Sequence, residues 1–70
     1  MQIMNSYTDI VNAWGVAEMA TDLGVPKERV RGWKRYNMLP PANWKRLLEK
    51  APSRNIDISP DLLIDIAARD

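Results

Sequence analysis

Neither cysteine nor histidine occurs among the 70 residues, and the two absences remove whole classes of chemistry. Without thiolate or imidazole there is no disulfide framework, no zinc set of the usual kind and no Cys–His or Ser–His nucleophile. The chain also lacks any apolar run near the roughly 18 residues of a membrane span. It lacks the basic-then-apolar opening of a secretory signal as well, so a cytoplasmic protein is expected. No stretch alternates convincingly as a half-buried strand does, and there is no internal repeat or linker. The carboxylates do not fill the gap. Asp57, Asp61 and Asp65 read as a cap and a solvent face, and the glycine and closing glutamate of a calcium loop are missing. No catalytic residue, metal or cofactor is therefore expected.

What is present is 46% hydrophobic and 27% charged residues, which is globular composition. At this length the expectation is one domain spanning 1–70 with a small core. Such a core often needs a metal, a disulfide or a second subunit. With the first two removed, self-association remains.

Apolar residues recur at three and four positions, so the chain reads as a compact all-α bundle of four to five helices. In "SYTDIVNAWG", Ser6 or Thr8 caps a helix carrying Tyr7, Ile10, Val11 and Trp14 on one side, and Gly15 ends it. Val16 to Leu23 makes a second helix and stops at Gly24. Pro26 suits the first turn of a third, running to about Tyr36. Pro41 opens a fourth, with Trp44, Leu47, Leu48 and Ala51 inside, Lys45, Arg46 and Lys50 in water, and Pro52 as its stop. Ser59 and Pro60 start a fifth helix within 59–69. Its Leu62, Leu63 and Ile66 are expected on the body, leaving Ile64, Ala67 or Ala68 for a partner subunit.

Charge is sorted along this frame. The net charge is only +1, yet residues 26–54 hold nine Lys/Arg against Glu28 and Glu49, a net +7, while the flanks carry −6. The plain reading is a solvated face with acidic ends. The sharper reading comes from the second and third helices, which are joined by little more than Gly24-Val25-Pro26 and so must cross steeply, as in a helix-turn-helix. Such a crossing needs a small residue at the contact, a glycine in the turn and apolar residues inside the second helix. Ala20, Gly24, Val25, Val30 and Trp33 supply them in order.

With those residues in place, the stretch Val16 to Arg35 resembles the helix-turn-helix of the Cro and lambda-type phage repressor family. The run "VRGWKRYNMLPPANWKRLLEKA", followed by "IDISPDLL", resembles short Cro-like bacterial and prophage regulators over nearly the whole chain. Helix rather than a β wing after Leu39-Pro40 sets it apart from excisionase and mercury-regulator types. The resemblance implies a lambda-repressor-like DNA-binding fold, a homodimer on double-stranded DNA, and a transcriptional repressor of the bacterial or phage-infected cell.

At about 100° per residue, Lys27, Glu28, Arg31 and Arg35 share the outer side of the third helix, Val30 and Trp33 the inner, and Arg29 and Lys34 the margins. An outer face of this kind fits a major groove. Lys27, Arg31 and Arg35 are expected to donate to base edges there, and Glu28 to accept from a cytosine amino group. Arg29, Gly32, Lys34, Asn37, Asn43 and Lys45 are the expected phosphate and backbone contacts. Plainer readings stand beside these. Glu28 also suits the helix dipole, Trp33 has the spacing of a core residue, and Gly32 is either a point of close approach or a tolerated defect. A protein-binding adaptor or a non-specific architectural DNA-binding module would use the same fold.

Overall fold

The computed structural model describes residues 4–69; Asp70, counted in the acidic flank, lies outside them. The first helix, α1 (Tyr7–Trp14), begins where the Ser6 hydroxyl accepts from the Asp9 N–H at 3.1 Å, and the Asp9 carboxylate in turn accepts from the Asn5 N–H at 2.9 Å. The first bond satisfies an N–H that the helix start leaves open, and the second gives the N–H just before the cap a partner. Gly15, at φ 97°, both ends α1 and admits α2 (Val16–Leu23). No non-glycine residue adopts that conformation cheaply.

The next three chain reversals share one hydrogen-bond pattern. Gly24 (φ 67°), Asn37 (φ 53°) and Asn55 (φ 56°) are left-handed. After each, the following N–H reaches back five residues: Val25 to the Ala20 carbonyl, Met38 to Trp33 and Ile56 to Ala51, all at 3.0 Å. This is the Schellman closure, and it gives otherwise orphaned helix-end carbonyls a partner. Gly24 thereby closes α2 and delivers the chain to α3 (Lys27–Tyr36).

Pro26 stands just outside α3 rather than in its first turn, because its ψ of 146° is extended; its carbonyl accepts the first helical N–H groups. The fourth segment also departs from expectation. Pro41–Asn43 form a 3₁₀ turn, α4 runs only from Trp44 to Lys50, and a second 3₁₀ turn, Ala51–Arg54, carries the chain through Pro52. The α-helix does end before Pro52, at Lys50, and Pro52 sits in the first turn of the 3₁₀ segment, where its missing N–H has no partner to lose. Finally α5 (Pro60–Arg69) packs back across the bundle.

All the regular structure among the described residues is helical. Each helix contributes to one core: Ile10 and Val11, Met19, Val30, Leu47, and Leu63 with Ile66 are the largest fully buried side chains. A radius of gyration of 10.8 Å fits close packing at this length. Two aromatic side chains of the core also make polar contacts across the fold. The Tyr7 hydroxyl donates to the Leu63 carbonyl at 2.8 Å, and the Trp44 indole N–H to Leu39 at 2.9 Å. Among the described residues no buried side-chain polar atom lacks a partner. No helix is long and apolar enough to cross a membrane.

Asp22, near the end of α2, ties three segments together. It accepts from the Trp14 indole at 2.9 Å and from Arg54 through both Nε and Nη2 at 2.9 Å each. The Arg54 guanidinium, chiefly, holds the Asp22 carboxyl down at about 2. An unfolded aspartate titrates near 3.9. The folded state therefore draws stability from this carboxylate above about pH 4 and loses it as pH falls toward about 2. Denaturant melts should show the unmodified chain more stable than Asp22→Asn at neutral pH, with the gap closing over that interval. A gap that stays constant down to pH 2 would contradict this role for Asp22.

Candidate nucleic-acid interface

The candidate face is built on α3. Val30 and Trp33 are buried, at 0% and 4% exposure, and fix which side looks inward. The helix is suspended between α1 and α2. At its far end the Thr8 hydroxyl donates to the Lys34 carbonyl at 2.8 Å, and Asn37 Oδ1 accepts from the Thr8 N–H at 3.1 Å. At its near end the Gly24 closure sets its direction. Glu28 in the first turn and Lys34 and Arg35 in the last complement the helix dipole.

With the inner side fixed, Lys27, Glu28, Arg29, Arg31, Lys34 and Arg35 are all exposed, and Gly32 among them is half-buried. The groups expected to read bases thus share one open surface, with the Arg29 and Lys34 margins continuing it. Glu28 and Arg31 are in contact, Oε1 to Nη1 at 2.9 Å. Among the described residues the other ion pair is Arg54 with Asp22. Among the described residues, therefore, no carboxylate pairs with Lys27, Arg29, Lys34 or Arg35.

The groups expected at phosphates lie in different surroundings. Lys45 and half-buried Asn43 line an open cleft of about 450 Å³ with Leu23, Ala42, Arg46 and Glu49. Leu23 closes α2 just before α3 begins, so this cationic edge of α4 adjoins the starting end of α3. Asn37, by contrast, already accepts from the Thr8 N–H through its side-chain oxygen, which ties that side chain to α1.

Two cations behave differently from a solvated reading. Arg46 donates to the Leu23 carbonyl at 3.5 Å and so leans on the end of α2. Arg54 is spent on Asp22 and does not add to the α3 field. One residue was not anticipated: Tyr36 is 70% exposed at the end of α3, beside Arg35. Its position off the apolar side of the wheel was the signal.

The face offers hydrogen-bond donors and positive charge on a rigid convex helix. Among the described residues no group of acidic side chains is arranged to hold a metal ion. Comparison of the chain with protein-family models, with curated proteins and with solved structures found no match.

Proposed function

We propose that the chain is a Cro-like, helix-turn-helix transcriptional regulator. It binds duplex DNA sequence-specifically as a homodimer and acts most simply as a repressor covering a promoter. The observation that carries this reading is α3 itself: five exposed cations on a short helix whose Val30 and Trp33 are buried and whose entry is set by the tight Gly24 closure. In this reading α2 and α3 are the two helices of the motif and α3 lies in the major groove. Lys27, Arg31 and Arg35 face base edges, while Arg29, Lys34 and Lys45 hold phosphates. Exposed Tyr36 packs against the sugar-phosphate backbone.

The second copy is proposed to meet α5. Ile64 is 58% exposed and, with exposed Ala68, leaves apolar surface on the side away from buried Leu63 and Ile66, while exposed Ala67 lies at its margin beside the groove that Met38, Leu39 and Trp44 line. An antiparallel pair of α5 helices would place Arg69 of each copy beside Asp61 of the other, so charge as well as shape favours self-association.

Selection of bound duplexes from a random pool tests the function. A palindromic site with half-sites about one helical turn apart is expected. Recovery of no preferred sequence would leave an architectural binder, and no recovered DNA at all would leave a protein-binding adaptor. Sedimentation at micromolar concentration should show a dimer; a clean monomer that binds symmetric sites tightly would remove α5 from the account.

Gly32 gives a separate check. A Cβ built there meets nothing within 4 Å, so Gly32→Ala should stabilise the fold by about 0.5–1 kcal/mol. If the missing side chain serves close approach to DNA, the same variant binds its site more weakly although it melts higher. Unchanged or tighter binding would make Gly32 a tolerated defect and nothing more.

A further inference from the structure

Glu28 is the sole acid on α3, whose other charged residues are Lys27, Arg29, Arg31, Lys34 and Arg35. An anion in the middle of a surface that meets phosphates is repelled by them. Its place in the first turn brings a helix-dipole benefit, but that benefit does not require it to reach Arg31. The Glu28–Arg31 pair is 79% and 60% exposed, respectively. An ion pair this open adds little to folding.

The contact is also single. Only Arg31 Nη1 and Glu28 Oε1 are joined, at 2.9 Å. Arg31 keeps Nε and Nη2, the two donors along one edge of its guanidinium, and Glu28 keeps Oε2. The pair is therefore a joined donor edge and acceptor on the outer side of the helix.

We propose, resting on the DNA-binding reading above, that Glu28 and Arg31 act as one unit that selects guanine paired with cytosine. Arg31 donates through Nε and Nη2 to guanine N7 and O6, and Glu28 Oε2 accepts from the N4 amino group of cytosine. The short link between the two side chains keeps these contacts within the same base pair or the next, since stacked bases are about 3.4 Å apart. The carboxylate fixes the guanidinium so that less freedom is lost on docking. It also rejects the wrong base: guanine O6 or thymine O4 in place of the cytosine amino group sets oxygen against oxygen with no proton between them. On random DNA the same charge only repels. Glu28 thus raises discrimination while lowering affinity for unselected sequence.

The experiment compares the full chain with Glu28→Gln, Arg31→Ala and the double variant. Each is titrated against the selected duplex, its single-base-pair substitutions, and scrambled DNA of equal length. Both positions are exposed, so thermal melts should differ only by the small helix-dipole contribution of Glu28, and binding is compared where every variant is folded. The unmodified chain is expected to prefer G·C at one position per half-site. Glu28→Gln should reduce that preference at least about fivefold, the low end for a bidentate base contact, while binding scrambled DNA as tightly or more tightly. Arg31→Ala should lose the same position, and the double variant should lose little more there. If the unmodified chain selects a sequence but Glu28→Gln leaves every positional preference intact, the proposal is overturned and the DNA-binding reading survives. If the unmodified chain binds no duplex, both fail together.

Discussion

Trp33→Ala lowers the free energy of unfolding by about 3–5 kcal/mol, the usual range for truncating a buried aromatic. The indole is 4% exposed and packs in the cluster that includes Val30, Leu39 and Leu23. A domain of this size has on the order of 5–10 kcal/mol to lose. Thermal and denaturant melts should show a protein partly unfolded near physiological temperature. Any loss of DNA binding by this variant would follow the loss of folded protein and be restored where the protein is folded. A melt indistinguishable from that of the unmodified chain would mean that Trp33 is not part of the core.

The largest expected effect on recognition is at Arg31. It lies one turn from both Lys27 and Arg35 and is the cation of α3 joined to an acceptor, through Glu28. In the proposed complex Arg31→Ala costs about 1–3 kcal/mol on the selected site and much less on scrambled DNA, because a base contact is lost. Arg29→Ala and Lys34→Ala should weaken both duplexes alike. Each should also flatten the dependence of log affinity on log salt by about one unit per lost phosphate contact. Equal losses on both duplexes for Arg31→Ala would make it a phosphate clamp and pass the reading role to Lys27, Glu28 or Arg35.

Local chemistry made much of the architecture legible. Ser6, Gly15, Gly24 and Ser59-Pro60 are punctuation whose effect is set within a few residues, and α1, α2, α3 and α5 start and stop beside them. The inner faces followed as well, since Tyr7, Ile10, Val11 and Trp14 can share a side only in a helix. The 3₁₀ turns around α4 were less visible, because three-residue and four-residue spacings of apolar residues look alike in so short a segment. The left-handed Asn37 and Asn55 were hidden for a different reason: asparagine adopts that conformation only when the surroundings favour it.

The candidate face was readable to the extent that a helical wheel separates Arg31 from Trp33. Pairings across the fold were not. Asp22 finds Arg54 from 32 residues away, and Arg46 finds the Leu23 carbonyl from 23. Both were drawn from residues that composition alone counts as solvated charge. The first matters to the site, since it pairs off a cation of the positive segment, while the second is a long contact of an exposed guanidinium.

The central claim, that the cationic face of α3 is made for duplex DNA, is tested most directly by titrating the unmodified chain with a duplex across a range of salt concentrations. Arg29, Lys34 and Lys45 from two copies would make about six phosphate contacts, so log affinity should fall linearly with log salt at a slope near −5. No measurable binding at low salt, or an affinity indifferent to salt, would contradict it.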